Sequence, residues 1–317
     1  MKRRDLHKLV KEAIAEIKQE ELQQEGKLGK FLSGVALLAA LVAGNSKMND
    51  QIYDQSPKLK VLVQKLEKAK AEGNEDLVDK IEKIIKDTGI TGFHFVDEAA
   101  PPKMLRALSY KLIERNVNIT WWTNIRFEKT FDLELCEIMA KSGCIAVTGG
   151  LEVASDRLLT KMKKGVDIAQ VTRVTHNFSK NNIMVHAYLM YGFPTQTEQE
   201  TIDSLEVVRQ LFESNCIQSA FWHQFTTTVH SPIGKNPQDF GIEITGPFFE
   251  GFAQNDLYHN DPEGAEHSKY TKGLNLALHN YLNASGFDEA LQNWFDFTIK
   301  PTTHSRDLIE QFLSEIY

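Results

Sequence analysis

Residues 183–212 read IMVHAYLMYGFPTQTEQETIDSLEVVRQLF. Ile183 to Tyr191 is a near-continuous apolar run, which predicts a buried strand, and Gly192-Phe193-Pro194 closes it with a turn. Thr195 to Asn215 then reads as a helix. The same alternation recurs on both sides. Upstream, Gly92 to Val96 (GFHFV), Ile119 to Ile125 (ITWWTNI) and Cys144 to Val147 read as strands. Helices are expected at 76–86, stopped by Gly89, from Pro101-Pro102 to Ile113, at Leu133 to Lys141 and at Ile168 to Lys180. Downstream, Ile217 to Phe225 (IQSAFWHQF) is a fifth strand. Strands of this apolar kind, spaced by helices, predict a parallel sheet covered by helices: an α/β fold.

In such sheets and in βα barrels, ligands bind beyond the carboxyl ends of the strands. The polar residues of the sequence collect there. Asp97 and Glu98 follow the first strand, Asn124 and Arg126 the second, and Gly149-Gly150-Leu151-Glu152 the third. Tyr191-Gly192-Phe193-Pro194 follows the fourth. A sheet with only a structural role has no reason to gather charge at one end of successive strands, so this edge is the expected site.

Composition narrows the possibilities. The chain has 317 residues, 42% hydrophobic and 25% charged, with a net charge of −7, which suits a core that needs no disulfides. The acidic balance argues against nucleic acid as a partner. Its three cysteines, Cys136, Cys144 and Cys216, make no disulfide framework and fit a reducing, cytoplasmic setting. They are widely spaced in apolar patterns, and buried structural thiols are expected. The apolar run Phe31 to Gly44 (FLSGVALLAALVAG) falls short of the roughly 18–20 residues of a membrane span, so no membrane contact is expected.

Texture changes near residue 75. Residues 1–75 are rich in Lys, Glu, Gln and Ala with helical periodicity, carry no chemical motif, and would suit oligomerisation or docking. Residues 76–240 hold the βα units. Residues 241–317 read as mixed, mainly helical, with helices near Thr271 to Leu282 and Arg306 to Ile316. Their aromatics (Phe248, Phe249, Phe252, Tyr258, Trp294, Phe295, Phe297) suggest packing on the sheet or closure over the site. His230, Ser231 and Lys235 are polar candidates in the loop-rich stretch between.

FHFVDEAAPP, NIRFEK, SGCIAVTGGLEVASDRLL with its following KKGV, and VHAYLMYGFPTQTEQETIDSLEVVRQLF together resemble the radical S-adenosylmethionine superfamily, nearest the class carrying a cobalamin-binding domain. The resemblance runs from about Asp76 to at least Gly241. Glu152 and Lys164-Gly165 match that family's Gly-x-Glu and Lys-Gly positions, and Pro194, Thr195 and Glu198 its Gly-Phe-Pro turn. The resemblance implies a partial (βα) barrel, missing its first strand and preceded by the helical segment, that binds S-adenosylmethionine across the strand ends. Asp97 and Glu98 would face the methionyl ammonium and Arg126 the carboxylate. Glu152 would bond amino or ribose groups, and the Tyr191 to Pro194 backbone would pass the adenine. Simpler roles remain open: Arg126 pairing with Glu128 or Glu152, and Asp97 capping the helix after Pro101.

In family members a [4Fe-4S] cluster held by C-x-x-x-C-x-x-C reduces the sulfonium to release a 5′-deoxyadenosyl radical. That motif and a recognisable cobalamin domain are absent here, which implies a truncated or fused relative with an unknown small-molecule substrate. Two other readings stand beside it. One is a non-catalytic ligand-binding or scaffold remnant. The other is a metal-dependent βα-barrel hydrolase using His94, His186 and His223, although no H-x-H or H-E-x-x-H pattern supports it.

Overall fold

The computed structural model describes residues 77–247 and 255–315. The expectations for residues 1–75, for a missing first strand, and for Phe248, Phe249, Phe252 and Ile316 lie outside them. The chain divides into two compact units, 1–89 and 90–317. In the first, a helix (α1) runs over 77–88, and Gly89, at φ 74°, ends it by donating its N–H to the Ile85 carbonyl.

The second unit is built on β1 (Gly92–Phe95), β2 (Thr120–Ile125), β3 (Cys144–Glu152), β4 (Met184–Tyr191) and β5 (Ser219–Gln224). All four neighbouring pairs are parallel and the order is sequential. The helices between them are α2 (Pro102–Glu114), α3 (Leu133–Lys141), the short α4 (Asp156–Lys161), α5 (Ile168–Lys180) and α6 (Glu198–Glu213). Side-chain oxygens fix where most of them begin. Asp132 accepts from the Leu135 N–H at 2.8 Å and Asp167 from the Gln170 N–H at 2.6 Å, while Thr197 and Glu200 form a reciprocal capping box. Each cap contributes about 1 kcal/mol.

Sequential parallel strands joined by right-handed crossovers carry every helix to the same face of the sheet. Burial follows that asymmetry. Thr123, Val147 and Val185 lie level with one another and are buried, as are Ala187 with Ala220 and Leu189 with Trp222. The opposite face, with Trp122, Met184, Tyr188 and Phe221, is exposed. The buried face meets helix stripes such as Leu105, Leu108 and Leu112 of α2 and Val171, Val174 and Phe178 of α5.

The strand at Cys144 runs five residues past its expected end at Val147. Thr148, Gly149 and Gly150 stay paired with β4, and glycine is required where the strand crowds its neighbours. A Cβ on Gly149 would lie 2.5 Å from the Phe127 ring.

After β5 the chain forms a three-stranded antiparallel sheet that the sequence does not announce. Its strands β6 (Thr227–Thr228), β7 (Glu243–Gly246) and β8 (Asp256–Asn260) lie in the order β6-β8-β7. A four-residue helix, α7 (Pro232–Lys235), lies between β6 and β7; Ser231 is its cap, accepting from the Gly234 N–H at 3.0 Å. The tail helices α8 (Thr271–Leu282) and α9 (Leu308–Ser314) follow. α8 packs on β5 and α6, and α9 on α5 and α6. The tail therefore packs on the sheet edge and the helix layer, and none of its described residues lines the cleft at the strand ends. Trp294, Phe295 and Phe297 pack with Tyr270 and Tyr281, while Tyr258 is exposed. No described helix is long and apolar enough to cross a membrane.

Candidate functional site

A cleft of about 280 Å³ opens at the carboxyl ends of the strands, lined by residues that include Glu98, Asn124, Arg126, Gly150 and Glu152. Five of the ten residues expected at the site therefore meet in one place. Each is set by the element it ends. Asn124, last but one in β2, donates its side-chain N–H to the Asp97 carbonyl at 3.1 Å, and its own carbonyl accepts from the Ala100 N–H at 2.9 Å. This fastens the loop after β1 across β2. Asp97 is thus held through its backbone and does not line the cleft, and α2, with Pro101 before its first residue, has no side-chain cap, so Asp97 does not cap it.

Arg126 donates to the Lys164 carbonyl at 2.7 Å, a different partner from the Glu128 or Glu152 left open by sequence. The ion pair belongs to Lys164, whose Nζ lies 2.6 Å from Glu152 Oε1. Lys164 also lines the cleft. Its KKGV stretch signals the position, but only the turn after α4, with Lys163 at φ 55° and Gly165 at φ 71°, carries it back to the strand ends. Glu152 itself adopts φ 60°, a left-handed conformation that non-glycine residues rarely occupy and that clusters at functional sites. Gly150 leaves room for its carboxylate, since a Cβ there would stand 2.3 Å from Glu152 Oε1.

The rim therefore carries two acids, Glu98 and Glu152, and two bases, Arg126 and Lys164, above Thr148, Tyr188, Phe127 and Val166. Phe127, Thr148, Val166 and Tyr188 were not legible as site residues. Nothing in their local pattern separates them from core or loop.

Tyr191, Gly192, Phe193 and Pro194 do not line this cleft. Tyr191 is buried with its hydroxyl 2.8 Å from Thr271 Oγ1, and Phe193 is part of a core cluster with Val153, Leu158 and Ile233. The turn is organised from within by the buried Gln196, whose Oε1 accepts from the Gly192 and Phe193 N–H groups at 2.7 and 3.1 Å. Thr195, at φ 68°, is fixed by Asp261 and Arg157 on its two backbone groups.

The three strand histidines do not converge. Strand register sets His94 level with Trp122, His186 with Ser219, and His223 with Met190. His94 stacks on Trp122 at 3.5 Å between centroids, and His186 Nδ1 lies 2.7 Å from Ser219 Oγ. Among the described residues no group of three or more His, Cys, Asp or Glu could hold a metal ion, which removes the hydrolase reading's centre. The cysteines are buried on separate elements, Cys136 in α3, Cys144 at the start of β3 and Cys216 beyond α6. Burial raises all three thiols above their ordinary range, Cys216 up to about 12. The three thiols therefore lie buried and apart from one another.

A sequential parallel sheet with a charged cleft at its carboxyl edge defines an α/β fold of the kind in which ligands bind beyond the strand ends. The sequence model of the radical SAM superfamily matches residues 52–208, about half of the chain, and the chain belongs to that superfamily. The family as a whole uses S-adenosylmethionine and a [4Fe-4S] cluster. Two curated relatives match. One is an uncharacterized methyltransferase of Pyrococcus horikoshii, 24% identical over 139 residues, 43% of this chain and 30% of the relative. The other is the anaerobic magnesium-protoporphyrin IX monomethyl ester cyclase of Rubrivivax gelatinosus, 26% identical over 153 residues, 47% of this chain and 27% of the relative. The match thus spans less than a third of either relative. Among solved structures, the radical S-adenosylmethionine methyltransferase TsrM of Kitasatospora setae, with cobalamin and a [4Fe-4S] cluster bound, shares the fold. Its TM-score is 0.50 at 15% identity, over 73% of this chain and 49% of TsrM.

Proposed function

We propose that the strand-end cleft is an S-adenosylmethionine site and that the chain's own cysteines hold no [4Fe-4S] cluster. The observation that carries the first part is the meeting of Glu98, Asn124, Arg126, Gly150 and Glu152 in one cleft. These are positions expected from the strand-end pattern of the sequence, and for Glu98, Arg126 and Glu152 also from the resemblance to the family. Two acids and two bases at one rim match a zwitterion, such as the amino-acid end of S-adenosylmethionine. Glu98 takes the ammonium, and Arg126, with one N–H committed to the Lys164 carbonyl, offers its remaining fork to the carboxylate. Lys164 neutralises Glu152 and holds its carboxylate at the cleft wall. Phe127 and Val166 supply apolar surface for the remainder.

When bound with a cluster, S-adenosylmethionine supplies radical chemistry to members of the superfamily. For this chain the proposed role is to bind and orient it, with cluster ligation and the reaction supplied by a partner chain. This is the non-catalytic reading for the chain alone. The buried, separated thiols support it. Calorimetric titration of the full chain with S-adenosylmethionine tests the site. Saturable binding is expected, weakened at least about tenfold in Arg126→Ala and less in Arg126→Lys. Binding unaffected by Arg126→Ala would overturn the assignment. Anaerobic reconstitution with iron and sulfide tests the second part, and a stoichiometric cluster absorbance would refute it.

A further inference from the structure

Two segments of the tail, 289–292 and 299–306, join Glu206 of α6 in lining a cavity of about 360 Å³. It falls within the roughly 300–1,000 Å³ of small-molecule sites, and it shares no lining residue with the strand-end cleft. Its walls are pinned. Gln199 donates to the Pro301 carbonyl at 2.9 Å, Gln210 to the Ser305 carbonyl at 2.8 Å, and the Thr302 hydroxyl to Asp203 at 2.8 Å. Gln292 ties one segment to the other, accepting from the Ile299 N–H at 3.0 Å and donating to the Phe297 carbonyl at 2.8 Å. A cavity framed by these bonds is formed before any ligand arrives, which lowers the cost of binding.

Polarity is divided across it. The Glu206 side chain, 5% exposed, offers only acceptors. Its Oε1 accepts from Arg209 and Gln210 at 2.6 and 2.7 Å, whereas Oε2 accepts from Arg209 alone at 3.0 Å. A carboxylate oxygen takes about two bonds, so Oε2 keeps a lone pair to spare. The segment opposite offers donors: Lys300, Arg306 and His304, whose imidazole makes no hydrogen bond among the described residues. Arg306 donates to the Phe287 carbonyl at 2.8 Å and lies 4.0 Å from the exposed Asp288, which leaves part of its fork uncommitted. The other acid of the lining, Glu289, accepts from Asn293 at 2.6 Å. Leu291, Ile299 and Pro301 supply apolar surface.

We propose that this cavity is a second ligand site, for a small organic carboxylate with an apolar body and a hydrogen-bond donor at its far end. The donor meets Glu206 Oε2, and the carboxylate meets Lys300 and Arg306. A carboxylate without the donor leaves the buried oxygen short of a bond, and a neutral ligand leaves the cations unanswered. The site stands apart from the cleft reading. A ligand there fastens the tail to α6 and stabilises the folded chain by mass action.

The test titrates the full chain with 3-(4-hydroxyphenyl)propionate, 3-phenylpropionate and 3-(4-hydroxyphenyl)propanol, read by calorimetry and by the thermal midpoint. The hydroxylated carboxylate is expected to bind saturably and to raise the midpoint. Loss of its hydroxyl should weaken binding roughly fivefold, and loss of its carboxylate at least about tenfold. Lys300→Glu should also weaken it at least about tenfold, and Ala290→Trp, which fills the cavity without changing charge, should abolish it. Both positions are exposed, and S-adenosylmethionine titrations should be unchanged in both variants. Equal binding of the three probes, no saturable binding of any, or binding untouched by the two substitutions overturns the proposal. So does competition between 3-(4-hydroxyphenyl)propionate and S-adenosylmethionine, since the probe would then occupy the cleft. Absence of S-adenosylmethionine binding with selective carboxylate binding intact would sink the cleft reading and leave this one standing.

Discussion

Glu152 is held in a backbone conformation that costs a non-glycine residue roughly 1–2 kcal/mol, while its carboxylate, 16% exposed, pairs with Lys164, which is 33% exposed. Lys164 can still reach water when its partner is removed, so the pair contributes about 0–1 kcal/mol. The balance identifies Glu152 as a residue kept for what it presents at the cleft. Glu152→Gly should therefore leave stability within about 1 kcal/mol of the parent or raise it, while weakening S-adenosylmethionine at least about tenfold. Chemical denaturation and titration on the same preparation check both halves. A large loss of stability would show that the ion pair is structural. Gly150→Ala should act on the same carboxylate from the other side, since the new methyl must displace it. At this scale the sequence was half informative. Charged and amide residues directly following a strand were legible because their position is fixed by the strand that ends there. Lys164, 12 residues after Glu152, reaches the cleft only through a helix and two left-handed residues, and nothing local announces that return.

The helix α6 is buried along its length, including Asp203, Glu206, Arg209 and Gln210, because the tail is fastened to it by polar groups. Arg209 grips Glu206 with two bonds of 2.6 and 3.0 Å, also binds Glu213, and donates to the Phe287 carbonyl at 3.1 Å. Gln210 accepts from the Ile309 N–H at 3.0 Å and donates to the Ser305 carbonyl at 2.8 Å. Asp203 accepts from the Thr303 N–H and from the hydroxyls of Thr302 and Thr303. Removing one partner leaves a buried charge alone, so Arg209→Met should cost about 3–5 kcal/mol and open residues 283–307 to limited proteolysis. Glu206→Leu with Arg209→Met should recover much of the loss, because no charge is then stranded. Recovery would be absent if the tail were held by its aromatic cluster alone. Element by element, α3 and α5 match their sequence-expected spans and β4 begins one residue late, since caps and apolar periodicity fix them locally. The antiparallel sheet was not legible. Its strands are two to five residues long and pair across the chain, so no single segment carries a periodic signal.

Seen whole, the second unit separates stability from chemistry by side. Helices and tail load one face of the sheet, while the charged cleft lies at its carboxyl edge. Partly buried histidines on several elements make stability depend on pH. Burial lowers the affinity of His176, His186, His259 and His267 for protons. Lys180 adds to the effect at His176; Asp261 opposes it at His259; the Gln196 carbonyl, Asp261 and Glu198 oppose it at His267. His267 is the most confined, with Nε2 donating to the Gln196 carbonyl at 3.0 Å and Nδ1 3.2 Å from Thr201 Oγ1. It thereby braces the turn after β4. With folded-state pKa values below the ordinary imidazole value near 6.5, the unfolded chain binds more protons as pH falls through that region. Their contribution to stability is complete above about pH 6.5 and is lost as pH falls through the folded-state values. The thermal midpoint should accordingly drop between pH 7.5 and 5.5, and His267→Gln should flatten that slope while lowering the midpoint at pH 7.5. An unchanged slope in His267→Gln would mean that the other three histidines carry the acid sensitivity, and that the turn at Gly192-Phe193-Pro194 is held by Gln196 without help from the imidazole.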